Sequence, residues 1–159
     1  MRFFIIITLL LTALDQVIKI IVRMTLTSSD NIKIIPNFIH LTYQENRGIS
    51  FSMLANLPDI YRVPLLSGGS ILVIIGLGVY LYRHWETVNQ GERWGFSLVM
   101  AGALGNLIDR AIRQEVTDYM HFLFYEHSFF VNNFADDLIS IGFVLLIYFG
   151  TFKKQPAHE

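Results

Sequence analysis

Cysteine is absent from the 159-residue chain, which excludes disulfides, thiol nucleophiles, cysteine-based zinc sites and iron–sulfur clusters together. Charge is scarce: Asp, Glu, Lys and Arg make up 16% of the residues, against about 25% in an ordinary soluble domain. The 12 basic and 13 acidic residues leave a formal net charge of −1, without the basic excess that a nucleic-acid-binding face requires. Internal repeats and low-complexity segments are also missing. What the chain has in quantity is apolar side chains, 53% of the total. The length suits a single domain over residues 1–159, and the composition fits four membrane spans of about 20 residues each.

Runs without charge locate those spans. Residues 3–14 carry none, and apolar character resumes to residue 22 beyond Asp15 and Lys19. Residues 64–82, 94–108 and 138–152 are uncharged as well. Tyr80, Tyr82, Trp94 and Tyr148 fall near span ends, where amphipathic rings favour the bilayer interface. The pattern predicts helices over 3–22, 64–83, 94–112 and 136–152, with Pro64 at a helix start. Met1-Arg2 followed by an apolar stretch also describes a secretory signal peptide. No small-x-small cleavage site follows, and Asp15 and Lys19 interrupt the stretch, so a retained helix is expected.

The connections are uneven. Residues 83–93 are short and polar, whereas 23–63 and 113–135 are long. Ile39, Leu41 and Tyr43, then Ile49, Phe51 and Met53, alternate with polar residues on either side of Glu45-Asn46-Arg47-Gly48. That period of two predicts two strands meeting at a turn, a small sheet on the membrane surface. The aromatic stretch His121-Phe122-Leu123-Phe124-Tyr125 is expected to dip into the interface, within a segment read as a loop or short helix. The expected fold class is thus an all-α membrane protein, a four-helix bundle with a small extracytoplasmic β-hairpin or sheet.

Counting basic residues barely orients it. With the N-terminus inside, five flank the inner ends (Arg2, Arg83, Arg93, Lys153, Lys154) and six the outer (Arg23, Lys33, Arg47, Arg62, Arg110, Arg113). The inner loops are shorter and so richer per residue, which favours that orientation. The acidic residues say more. In an antiparallel bundle the Asp15, Asp109 and Asp136 ends share one face with the loop carrying Asp118. Ten of the thirteen acidic residues gather there, leaving Glu86, Glu92 and Glu159 opposite. Ionisable groups at membrane depth are costly and point to function.

Several chemistries fail on motif. No GxSG-type serine with a histidine partner occurs around Gly68-Gly69-Ser70, and His121 and His127 lack the HExxH pattern of a zinc peptidase. A Ser–Lys pair through Lys19 competes with a plain ion pair to Asp15, one helical turn away. Two carboxylates are the best-supplied mechanism: one ionised to activate water, the other protonated to polarise a carbonyl. A low-dielectric membrane edge pushes their pKa values apart. No metal or cofactor is expected.

Five segments carry a family resemblance. Asp15-Gln16-Val17-Ile18-Lys19 resembles the DQxxK element of lipoprotein signal peptidases (signal peptidase II), and Asn46-Arg47-Gly48-Ile49-Ser50-Phe51 is similar to their NxGxxF segment. Gly102-Ala103-Leu104-Gly105-Asn106-Leu107-Ile108-Asp109-Arg110 resembles their third-helix signature. Val116-Thr117-Asp118-Tyr119 and Asn133-Phe134-Ala135-Asp136 resemble their two catalytic boxes. All five stand in the family's order. The resemblance implies an aspartic endopeptidase of the bacterial cytoplasmic membrane, with four spans and both termini cytoplasmic; a monomer is expected. Its active site would face outward, among bilayer lipids. The implied substrate is a prolipoprotein whose cysteine already bears diacylglyceryl, cleaved just before that cysteine.

The resemblance makes Asp118 and Asp136 catalytic. Arg110 becomes a substrate-positioning cation, with Asp109 and Asn106 in the adjoining polar network that Asp15 and Lys19 anchor. It also makes the loop with Asn46 and Gly48 a cover over the substrate, and gives Asn133 the task of holding the dyad. Each has a plainer rival. Asp118 reads as a solvated loop charge, Asp136 and Asp137 as acids at a helix start, and Asn133 as an N-cap. Asp109-Arg110 reads as interface snorkelling, and Gly48 as a turn needing positive φ. Ser97, Ala101 and Gly105 repeat every four residues, as small residues do at close helix contacts.

The chain departs from the family pattern at Asn132, where Phe is usual, and at Asp137, where a small residue or Ser is usual. Tyr119 replaces Phe, and Ile49 a small residue. Asp137 adds a charge beside the dyad, and adjacent helical residues point about 100° apart, so it can face away. The alternatives are a small proton-coupled transporter or channel subunit, although transporters usually carry repeats or broken helices in matching halves, and a structural subunit, which has no use for clustered carboxylates.

Overall fold

The computed structural model describes residues 1–48, 57–125 and 127–152. Its helices are α1 (Arg2–Thr25), α2 (Asp59–His84), α3 (Gln90–Arg113) and α4 (Phe134–Ile147), the last extended by a π-helical turn over Tyr148–Phe152. Strands β1 (Ile32–Ile35) and β2 (Ile39–Asn46) lie between α1 and α2, and β3 (Val116–Phe124) and β4 (His127–Asn132) between α3 and α4. They form one antiparallel sheet in the order β1-β2-β3-β4.

Helix α1 is built with its polarity inverted. Thr8, Thr12, Asp15, Lys19 and Val22 are its buried residues, whereas Leu9, Leu10, Val17 and Ile21 stand exposed. Water penalises that arrangement and hydrocarbon favours it. α1, α2 and Phe134–Thr151 are each long and apolar enough to cross a membrane, with mean hydropathies of 2.2, 2.0 and 1.6. α3 is less apolar for a structural reason: it packs against the other three helices and buries Gly95, Ser97, Gly102, Gly105, Asn106 and Asp109.

Small residues on α3 admit its neighbours. Thr8 Oγ1 donates to the Ser97 carbonyl (3.3 Å), Thr12 Oγ1 to that of Ala101 (3.2 Å) and Gln16 Nε2 to that of Gly105 (3.0 Å). This ladder runs along the four-residue repeat, and two glycines of α3 leave no room for a side chain against α1 or α4. A Cβ on Gly105 would fall on Asp15 Oδ2, and one on Gly102 on the Ala135 carbonyl oxygen.

The observed elements correct several expectations. α2 begins at Asp59, so Pro64 lies inside the helix; Asp59 in the first turn meets the positive end of the helix dipole. α3 begins at Gln90 rather than 94, because Asn89 and Glu92 form a reciprocal capping box. The segment expected as a loop or short helix is the β3–β4 hairpin, rich in the aromatic and β-branched residues that strands favour, so the all-α class is too narrow. The aromatic stretch lies largely within β3, and Phe122 stacks on Phe130 at 5.1 Å. β2 pairs with β1 and β3; the strand expected at 49–53 lies outside the described residues. Gly48 has no positive φ, because the Asn46 side chain closes that turn by accepting from the Gly48 N–H at 2.9 Å.

Candidate active site

Where the sheet meets the helix ends, the chain forms an open-sided cavity of about 370 Å³ lined by Asp118, Asp136, Asn46, Asn106, Arg110 and Asn132, among others. Period-two alternation along β3 sends Val116 and Asp118 to the cavity and the intervening Thr117 the other way. There Thr117 donates its N–H to Asp109 Oδ2 (3.1 Å), and its hydroxyl accepts from Arg23 Nη1 (2.9 Å). The β2–β3 register shifts between Leu41 and Gln44, beside the Gln44↔Asp118 pair, and such bulges re-aim side chains near functional sites.

Asp136 arrives from the first turn of α4. Asn133 is the cap: its side-chain oxygen accepts from the Asp136 N–H at 3.1 Å. That bond fixes the amide's orientation, so its Nδ2 donates to Asp118 Oδ1. Two further asparagines are oriented the same way, each by a group that can only donate. The Gly48 N–H holds Asn46 Oδ1, leaving Nδ2 to donate to Asp118 Oδ2 at 2.9 Å. Lys19 Nζ holds Asn106 Oδ1 at 3.0 Å, leaving Nδ2 to donate to Asp136 Oδ1 at 2.8 Å. Three amides thus present N–H groups to two carboxyls.

Behind the cavity lies a polar seam with its charges matched. Lys19 Nζ sits 2.9 Å from Asp15 and 3.2 Å from Asp109, and Arg23 lies 3.6 Å from Asp109. Asp15 also accepts the Ala135 N–H at 3.1 Å, which ties α1 to the start of α4. Asp15 and Lys19 are 0% exposed and Asp109 1%; burial of this kind is tolerated only when every charge is paired. The pairing answers the Ser–Lys question, since Lys19 is committed to two carboxylates and an amide.

The cavity carboxyls have no such salt bridge among the described residues. Burial, reinforced by the charge of Asp136, pushes the Asp118 carboxyl from 3.8 up to about 6, against the pull of the Asn46 and Asn133 amides. Arg110 lines the same cavity, and its Nη2 donates to the Gly48 carbonyl at 3.2 Å.

The family model described as Signal peptidase (SPase) II matches residues 7–152. The chain belongs to the signal peptidase II family. A lipoprotein signal peptidase of Clostridioides difficile is 38% identical over 155 residues, covering 97% of this chain and 98% of that one. Another from Fusobacterium nucleatum is 35% identical, covering 87% of this chain and 80% of the relative. A bacterial membrane enzyme solved by the in meso method at 2.3 Å matches the whole chain with a TM-score of 0.82 at 28% identity. Family membership makes the protein a membrane aspartic peptidase, a hydrolase of lipoprotein processing. Nothing in these likenesses supports a transporter or channel subunit.

Of the residues singled out in the sequence, the structure brings Asp118, Asp136, Asn46, Asn106 and Arg110 onto the cavity. Asn133 and Gly48 touch them from behind, and Asp15, Lys19 and Asp109 form the seam. Sequence reasoning missed Arg23, which closes the seam's charge balance, and Ser140, which lines the cavity. Ser140 stands four residues after Asp136, a spacing that shares a helix face. Tyr119 and Asp137 also find places. The Tyr119 hydroxyl accepts the Phe134 N–H at 3.1 Å, serving the first turn of α4. Asp137 accepts from Asn132 Nδ2 at 2.7 Å.

Proposed function

We propose that this signal peptidase II family member cleaves diacylglyceryl-modified prolipoproteins just before the lipidated cysteine, using Asp118 and Asp136 as its catalytic pair. The observation that carries the reading is the opening of both carboxyls, each steadied by asparagine donors, onto one shared cavity. Burial holds a proton there. With one proton between two aspartates, the ionised carboxyl takes a proton from water as the oxygen attacks the scissile carbonyl. The protonated one gives its proton to the carbonyl oxygen, and the leaving amine is then protonated from the dyad.

The remaining residues take supporting roles. Arg110 offers N–H donors to a substrate backbone carbonyl, in the place where it now meets the Gly48 carbonyl. Asn46 and Gly48 cover the substrate. Asn133 and Asn106 hold the two carboxyls, and Asp15, Lys19 and Asp109 anchor α1, α3, β3 and the start of α4 to one another. No metal or cofactor enters.

The protein is a monomer in the bacterial cytoplasmic membrane, crossing it four times as one domain. α3, about 36 Å long for its 24 residues, forms the shielded central span. The N- and C-termini are cytoplasmic and the sheet lies on the outer face among lipid headgroups. An apolar signal segment and two acyl chains keep the substrate in the bilayer, so it reaches the cavity laterally, and only the scissile bond rises to the polar layer. The test is processing of a purified diacylglyceryl prolipoprotein in detergent or vesicles. Asp118→Asn and Asp136→Asn each abolish cleavage while the protein still folds; substantial cleavage by either variant refutes the assignment.

A further inference from the structure

Asn132, at the end of β4, and Asp137, in the first turn of α4, are bonded to each other: Asn132 Nδ2 donates to Asp137 Oδ1 at 2.7 Å. An ionised carboxylate can only accept. Asp137 therefore fixes which end of the Asn132 amide is which, the assignment that coordinates alone leave open. The result is the reverse of Asn46, Asn106 and Asn133, whose oxygens are held by donors and whose N–H groups serve the dyad. Asn132 is turned so that its carbonyl oxygen is the unspent end. That oxygen is buried and finds no partner among the described residues, and Asn132 is one of the residues around the same cavity as Asp118 and Asp136. An unmet buried acceptor costs about 1–3 kcal/mol and marks a place where a donor arrives.

We infer that Asn132, oriented by Asp137, is a substrate-binding residue whose Oδ1 accepts a backbone N–H of the prolipoprotein next to the scissile bond. This rests on the peptidase reading and extends it. An extended peptide brings alternating carbonyls and N–H groups into a cavity. Arg110 serves the first kind, whereas the asparagine donors facing the dyad cannot serve the second. The tip of β4 supplies the acceptor.

The experiment uses the full chain in detergent and synthetic diacylglyceryl-cysteine peptides in which single amide bonds flanking the cleavage site are replaced by esters. An ester lacks the N–H and keeps the carbonyl. On the all-amide peptide, Asn132→Ala lowers kcat/KM about fivefold, within the two- to tenfold worth of one hydrogen bond. On one ester peptide the wild type falls by a similar factor and Asn132→Ala costs nothing further. Asp137→Ala, which frees the amide to turn, shows a smaller loss that vanishes on the same ester peptide. It is the second arm should Asn132→Ala not fold. An equal loss on every peptide, or no loss on any, overturns the inference. A wild type that cleaves none of the peptides overturns the peptidase reading itself, and this inference with it.

Discussion

Two groups of buried acids lie close together in this protein and are treated in opposite ways. In the seam, Asp15 and Asp109 are matched by Lys19 and Arg23, and they also accept the backbone N–H groups of Ala135 and Thr117. In the cavity, Asp118 and Asp136 receive only neutral amide donors and lack an ion pair within 4.0 Å among the described residues. The seam is closed and the cavity is open. Burial alone does not mark a functional carboxylate; spare bonding capacity at a solvent-sized space does.

The contrast is broken most severely at the dyad. Asp118→Asn and Asp136→Asn lower the cleavage rate by about 10²–10⁴-fold, the usual worth of general acid–base catalysis, and leave the thermal unfolding midpoint of the detergent-solubilised protein close to wild type. The seam answers the other way. Lys19→Met leaves the buried Asp15 without a cation and Asp109 with Arg23 alone, and destabilises the fold by about 3–5 kcal/mol. The yield of folded protein drops with it, and the activity per folded molecule falls far less than in the dyad variants. A Lys19→Met protein that is stable but inactive would place Lys19 in the chemistry and erase the distinction. The smallest effect belongs to Asp137, which faces Asn132 rather than the dyad. Asp137→Asn keeps a partner for that amide and loses no more than about threefold in kcat/KM, a hydrogen-bond-sized change. If it is as inactive as Asp136→Asn, the choice between the adjacent aspartates is wrong.

Much of this was legible in the chain. Charge-free runs located the helices, the i, i+4 spacing of Asp15 and Lys19 foretold their ion pair, and Asn133 read as the cap it is. Less legible were features set by partners distant in sequence. The 113–135 segment mixes aromatic, charged and polar residues, and it becomes a hairpin because β3 pairs with β2, more than 70 residues earlier. The early start of α3 was readable in Asn89-Gln90-Gly91-Glu92 but lay outside the apolar run that drew attention. Arg23 looked like a loop cation; only the packing of α1 against α3 and β3 brings it to Asp109 and Thr117. The kinship of Asn132 and Asp137 could be seen only once the turn between β4 and α4 was built.

The central claim is that Asp118 and Asp136 act on one another across the cavity and keep a proton between them. Isotope-edited infrared titration of Asp118 in the detergent-solubilised enzyme tests it most directly. The carboxyl should titrate at about 6, well above the ordinary 3.8, so its protonated form disappears as pH rises through that value. In Asp136→Asn, where the neighbouring negative charge is gone, the midpoint should move down. An Asp118 that titrates near 3.8, or whose midpoint ignores the loss of Asp136, would contradict the account.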